Sequence, residues 1–202
     1  MFSIKHKIPF ALILLRLLLA PVVVIVAVFY PAHIYLIGIA CCVAIVSDVL
    51  DGVIARRLGI ATEQLRIWDS IIDSVFWLSA CWCVWISFPL FVLQYKWLII
   101  VLVSMELLPD IIYLFRFGRM GCAHSYGAKF FSLFIFILFC CLFFANYTGI
   151  IFWIATVLGI LANTDEILIA ILLPSRICDV PSSYHARLIR KGIAFKKHKL
   201  FH

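Results

Sequence analysis

Charge is scarce in this chain: only 13% of its 202 residues are Asp, Glu, Lys or Arg, and the acids number ten. A soluble domain carries roughly a quarter charged and half apolar residues. Here 66% of residues are hydrophobic and the mean hydropathy is +1.16. A soluble fold of this length cannot hide that much apolar surface. The sequence also lacks a linker, a low-complexity segment or an internal repeat, so the chain reads as one membrane domain over 1–175 followed by a basic tail over 176–202.

Two further absences narrow the function. The eight cysteines match no zinc-ligand spacing. Most lie inside apolar runs, where a free thiol behaves as a small hydrophobe, and a membrane or cytoplasmic setting disfavours disulfides. Nothing resembles a nucleic-acid module, so no nucleic-acid partner is expected and the net charge of +7 needs another explanation. The six tryptophans and the many phenylalanines read as lipid-facing or interfacial residues.

What is present is a series of long apolar stretches at 10–30, 32–46, 70–91, 98–115, 130–145 and 150–173. Each is long enough, or nearly so, to cross about 30 Å of hydrocarbon as helix. Helices are the expected form because lipid offers no partner to a free backbone group. The predicted fold is therefore all-α, a polytopic integral membrane protein with six transmembrane helices. The first stretch, about twenty residues with Arg16 in its middle, reads as a retained span and not as a cleaved signal.

The cations set an orientation. Lys5 and Lys7 precede the first span, Arg56, Arg57 and Arg66 follow the second, and Arg116, Arg119 and Lys129 lie between the fourth and fifth. The tail adds Arg176, Arg187, Arg190, Lys191, Lys196, Lys197 and Lys199, while the opposite side holds only Lys96. By the positive-inside rule both termini and the segment around residue 59 face the cytoplasm, and the basic face meets anionic lipid heads.

The scarce acids are unevenly placed. DVLDGVIARRLGIATEQLRIWDSIID, residues 48–73, contains Asp48, Asp51, Asp69 and Asp73. A carboxylate at membrane depth costs a few kcal/mol or more and ordinarily faces a cavity with a task there. On a helix, positions 48, 51, 52, 55 and 56 share one face, as do 69 and 73. Gly59 as a breaker and Thr62 as an N-cap would reverse the chain between them, so that two antiparallel helices each present two carboxylates. Like charges a few ångströms apart oppose one another's ionisation. Divalent cations remove that difficulty, and hard oxygen ligands favour magnesium or manganese. Gly52 and Ala55 leave the face nearly bare, with room for a bulky ligand.

This constellation resembles the CDP-alcohol phosphotransferase (CDP-alcohol phosphatidyltransferase) family, whose signature is D-x2-D-G-x2-A-R-x8-G-x3-D-x3-D. Asp48, Asp51, Gly52, Ala55, Arg56, Asp69 and Asp73 match seven of its eight fixed positions. The segment IPFALILLRLLLAP at 8–21 is similar to the family's opening, and Gly127, Ala128 and Lys129 to the start of its fifth helix. The resemblance implies a six-helix membrane enzyme, a homodimer, that moves a phosphoryl-alcohol group from a CDP-linked donor to an acceptor hydroxyl and releases CMP. CDP-diacylglycerol is the expected donor, a small alcohol the acceptor and phospholipid biosynthesis the setting, in a bacterial inner (plasma) membrane. The resemblance further implies that Asp48, Asp51, Asp69 and Asp73 hold two Mg2+ or Mn2+ ions and that Asp73 is the catalytic base. Gly52 and Ala55 would make room for the cytidine, and Arg56 would pair a donor phosphate.

Leu65 departs from the pattern, standing where it calls for a second glycine, and Ser74 follows the fourth aspartate where several glycerophosphate-transferring branches carry lysine. The metal ligands are intact; the acceptor stays open. Arg116, Arg119 and Lys129 are candidates for an acceptor phosphate, although the positive-inside rule alone accounts for cations there. Glu106 and Asp110 flank Pro109 and either line the cavity or serve backbone groups freed at a kink. Asp165 and Glu166 interrupt the sixth span as cavity lining, a helix break or an interface. His124 reads as a loop residue. Two other readings stand beside the enzyme: a cation transporter using the aspartates, and a catalytically inactive family member acting as a binding or assembly subunit.

Overall fold

A computed structural model describes residues 4–58, 63–119, 125–175, 177 and 180–193, with backbone alone described at 4–9, 55–56, 63–67 and 70. The described residues form α1 (Ile4–Phe29), α2 (Tyr35–Leu58), α3 (Glu63–Ser87), α4 (Pro89–Phe117), α5 (Tyr126–Ala145), α6 (Gly149–Leu172) and α7 (Ser183–Arg190), with a 3-10 turn at Pro31–His33 and no strand. Five helical stretches are long and apolar enough to cross a membrane: Phe10–Phe29, Tyr35–Ile54, Pro89–Phe117, Tyr126–Ala145 and Gly149–Leu172. The apolar part of α3, Ile71–Ser87, is shorter, about 25 Å of helix. The chain is an all-α, multi-pass membrane protein.

Element ends differ from the hydropathy boundaries for local reasons. The second stretch continues as helix well past residue 46, carrying Asp48 and Asp51 with it. The third ends at Ser87, not at 91, because Pro89 lacks an N–H and disfavours helix in the residue before it. Pro89 instead occupies the first position of α4, where its missing donor costs nothing. Within α4 the backbone leaves helical geometry at Tyr95 (φ −107°, ψ 15°).

Two compact units result, and the Tyr95 break falls at their division: residues 1–94 with 139–147, and residues 95–138 with 148–202. In the first unit α1 packs on both α2 and α3. Ile13, Arg16, Ala20, Val23 and Ala27 are the buried stripe of α1, at spacings of three and four. The matching stripe of α2 is Ile37, Ala40, Cys41, Ala44, Ser47 and Asp51, mostly small side chains of the kind that let membrane helices approach closely. On α3, Ile72, Phe76, Ala80 and Cys83 continue the same helical row as Asp69. The opposite faces are apolar and exposed, with Leu18, Val46, Leu78 and Trp82 among them, as lipid contact requires.

The second unit has its own close packing. A Cβ added at Gly159 of α6 would lie 2.7 Å from the Phe131 ring and 2.9 Å from Leu102, and one at Gly127 of α5 would lie 3.2 Å from Ala162. The absence of side chains at these glycines lets α6 approach its neighbours. Tyr113, Ile169, Ala170, Leu173, Val180 and Ala186 form a buried cluster that fastens α7 to the end of α6. Sequence reading finds no helix there, since eight residues with four of them basic or aromatic carry no long apolar run.

Candidate functional site

The four aspartates converge. Asp48 and Asp51 stand three apart on α2, and Asp69 and Asp73 four apart on α3, so each pair occupies one helix face. The first three each offer an oxygen within 4.8 Å of the other two. Residues 59–62, where Gly59 and Thr62 are expected to turn the chain, lie outside the described residues.

At the centre of the four carboxylates is Arg16, brought in by α1. Its Nη1 donates to Asp48 Oδ1 at 3.1 Å and to Asp73 Oδ1; its Nη2 donates to Asp69 Oδ1 at 2.5 Å and to Asp51 Oδ2. One guanidinium thus engages one oxygen from each carboxylate. The side chains of Arg16 and Asp51 are 1% and 4% exposed, Asp69 and Asp73 are roughly a quarter exposed, and Asp48 is 48% exposed. The cluster is therefore closed at Asp51 and open at Asp48. Four carboxylates less one guanidinium leave a formal charge of −3.

Sequence reasoning places Arg16 in the first span, within the segment similar to the family's opening, and gives it no partner. A signal for its role was nevertheless present. Arg16 falls on the 13–16–20–23–27 stripe, so it must be buried if that stripe is the packing face. A buried guanidinium needs acids, and Asp48 and Asp51 are the first acids along the chain.

A divalent cation fits this donor set. The ligands are hard carboxylate oxygens, they converge on one point, and their negative charge exceeds what Arg16 neutralises. A chance surface cluster of acids would not be closed on one side by a buried Asp51. Asp48, Asp51, Asp69 and Asp73 are the residues able to hold such an ion. The sequence model of the CDP-alcohol phosphatidyltransferase family matches residues 6–161.

The chain belongs to the CDP-alcohol phosphatidyltransferase family. The match begins before Arg16 and runs through all four aspartates into α6. No curated protein and no solved structure matches the chain. Family membership makes it a transferase of phosphate-containing groups that uses a CDP-linked substrate and an alcohol acceptor. Such enzymes typically depend on divalent metal, and an aspartate cluster is present here.

The other residues singled out from the sequence occupy varied settings. Gly52 is half-buried beside Asp51 on α2. Ala55 and Arg56 continue that helix, their side chains lying outside what the structure describes, as does the side chain of Leu65 in α3. Arg116, Arg119 and Lys129 belong to the second unit. Arg116 donates to the carbonyl oxygens of Ala170, of Ile171 at 2.7 Å and of Leu173 at 3.0 Å, closing the C-terminus of α6. Those carbonyls lack partners within the helix, and a cation there also complements the helix dipole. Arg119 and Lys129 are exposed. Asp165 Oδ1 accepts from the Ser183 N–H at 3.0 Å, and Glu166 Oε1 from the Ser125 N–H at 3.3 Å. These two acids of α6 thereby secure the N-terminal ends of α7 and α5. His124 lies outside the described residues.

Proposed function

We propose that the protein is a phospholipid-synthesising enzyme that transfers a phosphatidyl group from CDP-diacylglycerol to the hydroxyl of a small alcohol, releasing CMP. One observation carries this reading beyond family membership: all four signature carboxylates, from two helices, gather about a single point.

Asp48, Asp51, Asp69 and Asp73 hold two Mg2+ or Mn2+ ions, which when bound supply the positive charge that offsets the donor's pyrophosphate and the leaving CMP. Gly52 and Ala55 offer a bare helix face to the cytidine, and Arg56 pairs a phosphate oxygen with its fork of donors. Asp73 takes the proton from the acceptor hydroxyl. The acceptor oxygen then attacks the phosphorus of the phosphatidyl group, and the P–O bond to CMP breaks with its electron pair leaving on CMP. Arg116, Arg119 and Lys129 are the cations that bind a phosphorylated acceptor. The diacylglycerol tails stay in the bilayer while the headgroup enters from the cytoplasmic side, where both termini also lie. The active unit is a homodimer in a bacterial inner membrane.

Acids gathered at one point support transfer chemistry over cation transport, which calls for acids spread along a path. The decisive experiment is a mass-spectrometric assay of the purified protein with CDP-diacylglycerol and a panel of alcohols, both phosphorylated and not. CMP and one new phospholipid should appear together for one acceptor. Absence of CMP and of any new phospholipid with every acceptor would leave the inactive, assembly-type reading in its place.

A further inference from the structure

Arg16 spends all its terminal donors on the carboxylates. Nη1 serves Asp48 and Asp73, Nη2 serves Asp51 and Asp69, and each carboxylate gives one oxygen to the guanidinium. Three of the same carboxylates, Asp48, Asp51 and Asp69, bring oxygens close enough together to enclose a cation. A guanidinium and a divalent ion are both cations, and both are drawn to the same carboxylates. With the side chain 1% exposed on the packed stripe of α1, the guanidinium is held out of contact with solvent. Its Nε is buried and has no hydrogen-bond partner. Leaving a buried donor of a charged group unpaired is costly, so this pose stands only because the four acids hold it.

We propose that Arg16 and the divalent ions are alternative counter-cations of the aspartate cluster. The guanidinium holds the four carboxylates together, and as metal takes their oxygens it turns within the site to face the phosphates of the donor. This rests on the metal reading given above and adds a regulator of affinity to it. The turn keeps a cation beside an anion throughout, exchanging carboxylate oxygens for phosphate oxygens, which guanidinium pairs equally well. It also gives the unpartnered Nε an acceptor. Metal entry and donor entry are coupled as a result, since the donor rewards the pose that metal imposes on Arg16.

The test is Mn2+ binding to the purified wild type, Arg16→Gln and Arg16→Lys in detergent, with free Mn2+ read by electron paramagnetic resonance. Removing the competing cation should tighten Mn2+ binding on the order of tenfold, within the usual range for coupled sites, and the Lys variant should stay near the wild type. The Gln variant should also unfold at lower temperature in chelator and regain stability with Mn2+. Equal or weaker Mn2+ binding by the Gln variant, with wild-type binding intact, would overturn the exchange. No Mn2+ binding by either protein would instead remove the metal reading itself.

A second measurement needs no folded Gln variant. In wild-type protein labelled with 15N-arginine, with the Arg16 signals assigned by their loss in Arg16→Lys, the Nη protons should exchange slowly with water. Saturating Mg2+ should speed that exchange, and a further addition of CDP should slow it again. Arg16 protons indifferent to Mg2+ would show that the guanidinium never leaves the carboxylates.

Discussion

Arg16 and Asp51 are the two buried charged residues among those described, and they are bonded to each other across thirty-five positions of chain. Removing one member of such a pair leaves the other charge buried and uncompensated, typically at a cost of about 3–5 kcal/mol. Arg16→Met should therefore lower the unfolding temperature sharply in chelator. Asp48→Asn, at a half-exposed carboxylate that solvent already screens, should cost about 1 kcal/mol or less. Thermal unfolding of both variants in detergent measures the difference. Equal stabilities would mean that the burial of Arg16 among the carboxylates contributes nothing to the fold.

Metal dependence is the next expectation. Excess chelator should abolish CMP release, and Mg2+ or Mn2+ should restore it. Asp48→Asn and Asp69→Asn should each remove activity while the protein stays folded, because loss of one like charge relieves the remaining three. Wild-type turnover in excess chelator would sink the metal assignment.

The proposed donor and acceptor contacts are separable by substitution. Ala55→Leu should block nucleotide binding through bulk alone and leave Mn2+ affinity unchanged, since the four carboxylates are untouched. Arg119→Ala should weaken the apparent affinity for a phosphorylated acceptor roughly tenfold to hundredfold, the loss of one charge-assisted contact of about 1.5–3 kcal/mol. Arg116→Ala should do more, because it also strips the donors from the Ala170, Ile171 and Leu173 carbonyls and lowers thermal stability. Normal acceptor kinetics in Arg119→Ala would leave that arginine as a topology determinant and favour an unphosphorylated acceptor.

Topology is open to chemical labelling. If both termini are cytoplasmic, as proposed, a cysteine introduced at Lys96 should react with an impermeant reagent in intact cells, whereas one at Gly59 or Lys197 should not. The reverse pattern would place the nucleotide site on the far side of the membrane and contradict the orientation drawn from the cation distribution.

Much of this was legible without coordinates. Hydropathy and the cost of unpaired backbone in lipid required helices, and helical periodicity alone placed Asp48 with Asp51, and Asp69 with Asp73, on single faces. These are local relations of three or four residues, so the sequence by itself determined them, as the spacing of the signature determined the family. The contacts of Arg16 reach thirty-two to fifty-seven positions away, and no local rule brings α1 to the acids of α2 and α3. For Arg116 the local evidence pointed elsewhere, because a cation between two spans is expected whatever it touches. Only the packed structure showed it turned to the last carbonyls of α6, and Asp165 and Glu166 turned to the N–H groups of Ser183 and Ser125. Periodicity decides which residues share a face; which faces meet is decided by packing, where most buried donors must find acceptors.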